Sequence, residues 1–215
     1  MTKSSKRNLR DVIYEDYLRR IQYGQIAPED RLVDTAIAAE QNMSRMPVRD
    51  ALMRLAHEGY LETTTRGFML PSLTRTQVLE LFEIRRLLEP RAVALATCAL
   101  SDEALERMKI AVDQAASTID SGDVSLFYKA SEMFRNEWLE AVPNEEMKKT
   151  IQRYLAQVQT VRMATMRDDK AHRVIVAGQR QLLDAFLTRD AVRAQDIMLR
   201  FVLAAEDSYL ELSGT

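Results

Sequence analysis

The stretch Asn42-Met-Ser-Arg-Met-Pro-Val-Arg-Asp-Ala-Leu-Met-Arg-Leu-Ala-His-Glu-Gly-Tyr60 decides the fold of this chain. Ser44 suits a helix N-cap, Pro47 fits a first turn where a missing amide does no harm, and Gly59 marks the C-terminal stop. Val48, Leu52, Leu55 and Ala56 recur at helical spacing, which predicts one buried face. Arg45 and Arg49 stand four residues apart, so they project together from the N-terminal end of the helix. A helix entering the major groove contacts base edges from that end. Arginine can donate a bidentate pair to guanine or bind phosphate, and free amides at a helix start add donors for a phosphate oxygen. For the two arginines alone a second reading stands beside this one, a solvated basic turn on a surface helix.

Working outward, Leu9, Val12, Ile13, Tyr17, Leu18 and Ile21 form a helical stripe that ends near Gly24, and Ile26 to Leu32 reads as a turn. Asp34 can cap a short helix bearing Thr35, Ala36, Ile37 and Ala39, and Ser44 opens the next helix after a tight turn. That is a helix-turn-helix pattern. Beyond Gly59, Tyr60 to Thr65 is rich in strand formers, Arg66-Gly67 marks a turn, and Phe68 to Leu70 can return as a second strand, making a wing.

Composition agrees with this start. The chain has 215 residues, 47% hydrophobic and 29% charged, with only six Gly and five Pro, which favours a mainly helical body. No stretch reaches the ~18 consecutive apolar residues of a membrane span, and the basic N-terminus is not followed by the apolar run of a signal peptide. A cytoplasmic protein with no membrane partner is expected. The single cysteine, Cys98, excludes an internal disulfide, and Ala96, Ala99 and Leu100 around it predict a buried thiol. The net charge of -2 hides a weak asymmetry: residues 1–72 carry 11 Lys and Arg against 10 Asp and Glu, and the remainder 19 against 22. The local clusters matter more. Lys3, Lys6, Arg7 and Arg10 form a basic arm, with Lys6 and Arg7 as phosphate contacts, and Arg45, Arg49, Arg54 and Arg66 surround the reading motif.

Leu32, the run Ser44 to Leu52, Leu55, Glu58-Gly59 and Arg66-Gly67 together resemble the winged helix-turn-helix of the GntR family of bacterial transcription regulators. Met46 departs from the family, which often has Thr there. The resemblance implies double-stranded operator DNA as partner, with Thr35, Ser44, Arg45, Met46, Arg49, Arg66 and Gly67 as the contacts, in a domain of residues 1–72.

Pro71 to Thr76 reads as a hinge, with Thr74 able to cap the helix after it. Residues 73–215 then read as a second domain of six helices: Val78 to Leu100 with a kink at Pro90, Ser101 to Ile119, Asp123 to Val142, Glu145 to Met166, Ala171 to Leu187 interrupted at Gly178, and Asp190 to Leu212. Short connections imply an antiparallel all-helical bundle. Leu81 to Ala96 resembles the opening helix of the FCD effector domain of the FadR branch of the family. That resemblance implies a homodimer, a small effector that is often a carboxylate, and in many members a metal held by an Asp and three His.

In the family's register, set by Asn144, the Asp position is Ser131 and the first His position, after Phe134, is Arg135. Asp184-Ala185 put Gln179 at the next His position, and Asp190 puts Phe201 at the last. None is a donor that a transition metal needs. No metal and no cofactor is expected. Ser131 and Arg135 share a helix face, and a guanidinium binds a carboxylate without an ion. Effector candidates are therefore Arg85, Ser131, Arg135, Gln179 and Arg180. The other readings of Arg135 are an ion pair with a bundle carboxylate such as Glu89 or Glu132, or a side chain that faces water. Met133, Met163, Met166 and Met198 read as core filler. Three functions are open to such a chain: a DNA-binding repressor controlled by an organic acid, a DNA-binding dimer whose pocket is a relic, and an enzyme built on the helical domain. The last has no Ser/His/Asp, Cys/His or phosphate-loop pattern behind it, so no catalysis is expected.

Overall fold

The computed structural model describes residues 8–213 and divides into two compact units, one of residues up to Leu73 together with Arg153–Thr160, the other of Thr74–Gln152 with Val161 onward. The division falls one residue past the boundary expected at residue 72, and it adds a segment from far along the chain to the first unit.

In the first unit, α1 (Leu9–Gln22), α2 (Asp34–Glu40) and α3 (Arg45–His57) precede a hairpin of β1 (Glu62–Thr64) and β2 (Gly67–Met69). Each helix ends where a residue can turn left-handed: Gly24, Asn42 and Gly59 all have positive φ. After α3 the Gly59 amide bonds to the Ala56 carbonyl at 3.1 Å and the Tyr60 amide to the Leu55 carbonyl at 2.9 Å, the paired bonds of a Schellman stop. Val48, Ala51, Leu52 and Leu55 are fully buried against Ile13, Tyr17, Ile21 and Ile37. The Tyr14 hydroxyl donates to Glu58, whose other oxygen receives Arg54 Nε at 3.0 Å. The Arg54 guanidinium also lies 3.8 Å from the Tyr14 ring centre, and burial with the neighbouring carboxylate pushes the Tyr14 hydroxyl pKa well up. These contacts lock α1 to α3.

The hairpin is antiparallel with Thr63 opposite Phe68, and Leu32 pairs with Phe68 through amide bonds of 2.8 and 2.9 Å. Gly67 makes that pairing possible. Its φ is +124°, and a Cβ there would sit 2.5 Å from the Leu32 carbonyl oxygen.

The second unit is built on α4 (Arg75–Ala99), α5 (Asp102–Ser121), α6 (Val124–Glu140), α7 (Glu145–Gln157), α8 (Gln159–Thr165), α9 (Asp169–Leu187) and α10 (Ala191–Ser213), with residues 153–160 crossing into the first unit. Helix α4 packs on α10 and α6, α5 on α6 and α9, and α9 on α10. Thr74 and Gln77 cap α4 reciprocally, Ser101 caps α5, Asp123 caps α6 and Asp168 caps α9.

Several expectations are corrected. The helix expected over Glu145–Met166 is two helices broken at Val158, in a run containing Val158, Val161 and Thr165, whose β-branched side chains weaken helix. The bundle therefore has seven helical segments among the described residues, not six. Gly178 does not interrupt α9: a Cβ there would lie 2.6 Å from the Phe201 ring, so glycine is needed for α10 to approach, not for a break. Val33, not Asp34, is the cap residue of α2, and the Asp34 carboxylate is engaged elsewhere. Cys98 is exposed, because the buried residues near it, Ala96 and Thr97, lie on another side of the helix from the one Cys98 occupies. Met166 and Met198 are buried as core filler, whereas Met133 and Met163 are half-buried. Arg189 takes a left-handed conformation at the end of α9, and its guanidinium bonds the Leu100 carbonyl at 2.6 Å and the Thr97 carbonyl at 3.2 Å, capping α4.

Candidate nucleic-acid interface and helical-domain site

Helix α3 begins with an arrangement that leaves polar groups free. Ser44 is its N-cap residue, but the side chain makes no capping bond. Pro47 occupies the third helical position, so the amide that a capping serine commonly takes does not exist. The Ser44 hydroxyl and the first amides of the helix are thus left at an exposed end, where the macrodipole favours an anion. Arg45 and Arg49 are exposed on the next turn, and Met46 is 65% exposed, a long apolar side chain suited to a thymine methyl.

Arg45 does not swing freely. Its Nε donates to Asp34 Oδ2 at 2.8 Å, with the Arg45 side chain 55% exposed and the Asp34 side chain 11%. The first residue of α2 thereby holds the first residue of α3 while the rest of the guanidinium faces outward. Thr35, next to Asp34, is exposed, as is Arg66 at the tip of the hairpin. Arg49 and Arg66 have no ion pair among the described residues. Gly67 is half-buried and shapes the wing through its backbone. Lys3, Lys6 and Arg7 lie outside the described residues, while Arg10 is exposed beside Asp11 at 3.4 Å. The sequence marks Asp34 only as a cap, because its hold on Arg45 spans eleven residues and two helices, a link no local pattern carries.

In the second unit, α6 and α9 are joined by two ring contacts: Phe127 stacks on His172 with centroids 3.7 Å apart, and Phe134 meets Phe186 at 6.4 Å. Ser131 lies between the two phenylalanines on α6, and Gln179 between their partners on α9. Both are 4% exposed, and Ser131 Oγ and Gln179 Oε1 have no hydrogen-bond partner among the described residues. Unpartnered buried polar atoms are uncommon and call for an explanation. Phe201 packs on Gly178 beside them.

Arg135 is half-buried and paired with Glu132, one of the alternatives open to it. Arg162 reaches the same carboxylate at 2.9 Å and lies 5.7 Å from the Tyr128 ring centre. Sequence reasoning misses Arg162, since nothing in the irregular run around α8 marks it. Arg85 is largely buried, with Nε 2.7 Å from Glu89 Oε1, an i,i+4 pair within α4. Arg180 is exposed and does not join the cluster: one step from the buried Gln179 turns it 100° outward. No group of three or more His, Cys, Asp or Glu suited to a metal occurs among the described residues. No helix among them is long and apolar enough to cross a membrane.

Residues 9–68 match the model of the bacterial regulatory proteins of the gntR family, and residues 80–204 match the FCD domain. The chain is similar to the Nta operon transcriptional regulator of Aminobacter aminovorans, 33% identical over 58% of this chain and 59% of that protein. It is also similar to the HTH-type transcriptional regulator McbR of Escherichia coli, 28% identical over 57% of this chain and 56% of that one. The matched segment thus spans less than three-fifths of these relatives' length. A solved structure of McbR shares the fold with a TM-score of 0.80 at 20% identity, covering 96% of this chain and 99% of that one. The families and relatives are transcription regulators, not enzymes. With the helix-turn-helix and wing matched by one model and more than half the chain by the other, the protein belongs to the GntR family of bacterial regulatory proteins, in the group that carries an FCD domain.

Proposed function

We propose that the chain is a sequence-specific transcription regulator that binds operator DNA as a homodimer, represses by occupying a promoter, and responds to a small organic acid held in the helical domain without a metal. What supports the DNA half is the concentration of uncommitted donors at the start of α3 and the wing, namely the Ser44 hydroxyl, Arg49 and Arg66, with Arg45 oriented by Asp34. One recognition helix reads few base pairs, so a two-fold pair on an imperfect palindrome supplies the specificity.

The observation that carries the effector half is the pair of buried, unpartnered atoms Ser131 Oγ and Gln179 Oε1. A ligand carrying a carboxylate and a hydroxyl satisfies both chemistries. Its hydroxyl donates to Gln179 Oε1 and accepts from the Ser131 hydroxyl, and its carboxylate takes Arg135 in exchange for Glu132. Binding changes transcription only through unequal affinity for the DNA-bound and free arrangements.

The test has two parts. An operator is selected from random duplexes with the full chain, and short-chain hydroxy acids are then screened by thermal shift, where a ligand of the native state raises the melting temperature. Loss of operator release and of the thermal shift in both Gln179→Leu and Arg135→Met supports the assignment. An acid that acts equally on both variants refutes it, and a screen with no shift at all leaves a DNA-binding dimer without an effector.

A further inference from the structure

Helix α2 opens with the side chain that holds the first residue of α3. Asp34 is 8% exposed, and its Oδ2 accepts from Arg45 Nε at 2.8 Å across the turn between the two helices. Its backbone is anchored on both sides. Two residues earlier Leu32 is paired with Phe68 by amide bonds of 2.8 and 2.9 Å, and the turn after α2 is closed by the Met43 amide on the Ala38 carbonyl at 3.0 Å. A short side chain on such an anchor reaches few positions, so the guanidinium it holds is fixed at one nitrogen.

What is left free decides what Arg45 can read. Neither Nη group donates a hydrogen bond among the described residues, and the side chain stays 55% exposed. The two Nη groups carry a parallel pair of N–H donors, the fork that matches O6 and N7 on the major-groove edge of guanine. Fixing that fork before DNA arrives removes part of the ordering cost of a directional contact. The same carboxylate is a handicap towards phosphate. Beyond the dimensions of the pair it cancels the arginine's charge, so the pair adds little to the attraction that a duplex of any sequence exerts. Arg49, one turn further on, is exposed with no ion pair among the described residues and keeps its full charge. As a clasp for the fold alone the pair does little, because its arginine is more than half exposed.

We propose that Asp34 is a positioning residue that sets sequence preference: it holds the Arg45 fork for a guanine edge and lowers affinity for DNA of any other sequence. The proposal rests on the reading of α3 as the helix that enters the major groove, and it adds a determinant on α2 that acts through Arg45.

The test uses the full chain with its selected operator and a random duplex of equal length, in binding isotherms over a range of salt concentrations. Asp34→Ala should weaken operator binding about tenfold, within the range of one lost bidentate base contact. It should bind the random duplex more tightly, with a log–log salt slope steeper by about 0.9, the value of one more phosphate. Asp34→Asn keeps an acceptor for Nε and loses the charge, so it should share the gain on random duplex and retain more operator preference than Asp34→Ala. On an Arg45→Ala background, Asp34→Ala should leave the ratio of operator to random affinity unchanged, since nothing remains to be positioned. Equal losses on both duplexes, checked against circular dichroism of each variant, mark a structural clasp and overturn the proposal. So does a loss of preference that persists on the Arg45→Ala background, or a preference untouched by Asp34→Ala. If Arg45→Ala by itself leaves operator binding unaltered, the placement of Arg45 at the base edges fails and the proposal falls with it, whereas an effect of Arg45→Ala without one of Asp34→Ala removes only the role of Asp34.

Discussion

The arginines at the start of α3 and the wing and those that face carboxylates inside the bundle are put to opposite uses. Around the start of α3 and the wing, Arg49 and Arg66 are exposed without an ion pair among the described residues, and Arg45 is held at one nitrogen by Asp34 with most of its surface outward. In the bundle, Arg85, Arg86, Arg135 and Arg162 are each folded onto a carboxylate, with side chains between 12% and 30% exposed. The difference teaches that position on a helix face fixes where an arginine points, while a carboxylate one turn away fixes whether it is available. A phosphate approaching the first unit meets uncommitted donors. In the second unit the guanidiniums of Arg135 and Arg162 are already met by Glu132.

The largest effect that breaks this comparison removes the platform instead of the arginines. Leu52 is fully buried beneath the exposed face of α3, and Leu52→Ala should cost about 2–5 kcal/mol of stability through lost burial and the cavity left behind. Urea unfolding checks it. Arg49 would then lose DNA through disorder of the helix that carries it, although it is untouched.

Next is the shared carboxylate. Glu132→Leu leaves the guanidiniums of Arg135 and Arg162 in a mostly buried site without their common partner, with an expected loss of about 3 kcal/mol, the low end for a broken buried pair. Asp34→Ala is the contrast, because Arg45 stays hydrated when its partner goes, and about 1 kcal/mol or less is expected. Equal losses in the two variants, read from urea midpoints, would mean that the arginines of the two units are not distinguished by their pairing.

The sequence carried the first unit almost to the residue, because its signals are local. Ser44, Pro47 and Gly59 bracket α3, and Val48, Leu52 and Leu55 give its inner face. It carried the bundle less well. The break at Val158, the continuity of α9 through Gly178 and the exposure of Cys98 each depend on which neighbours are close in space. Gly178 is the clearest case: glycine within a helix weakens it by propensity alone, yet here it is the spacing that Phe201 requires. Family register singled out Ser131 and Gln179, and their burial without partners is an observation only the structure supplies. Register also singled out Arg135, and of the partners the sequence offers it, Glu132 is the one that holds it.

A third prediction sharpens the comparison at the DNA surface. Arg49→Ala should weaken specific binding by about 1–3 kcal/mol with the fold intact, as expected for one lost bidentate base contact. Arg49→Lys should keep the salt dependence, since the charge remains, yet lose sequence preference, since a point charge lacks the two-pronged geometry. Binding isotherms on operator and random duplex at two salt concentrations separate these effects. An Arg49→Lys protein with full preference for its operator would make Arg49 a phosphate contact only.

The smallest expected effect tests the bundle against pH. His172 is buried, stacked on Phe127, and its Nε2 lies 2.9 Å from Thr118 Oγ1. The Thr118 hydroxyl also lies 2.6 Å from the Ala115 carbonyl, so Thr118 links the ring to the backbone of α5. Burial lowers the His172 pKa from its ordinary value, against smaller opposing effects of the Ala115 backbone and Asp169. The sign comes from linkage. The unfolded chain takes up a proton at this histidine near pH 6.5, whereas the folded one takes it up only at lower pH. The stability contributed by the neutral ring is therefore fully present above about pH 6.5 and is lost as pH falls through the lowered folded value. Urea midpoints between pH 7.5 and 5 should fall for the unaltered protein and stay flatter for His172→Gln, which can still hydrogen-bond Thr118 and does not titrate. The wing and α3 are the internal control, since the bundle alone holds His172: amide exchange within residues 45–64 should take the same pH course in both proteins.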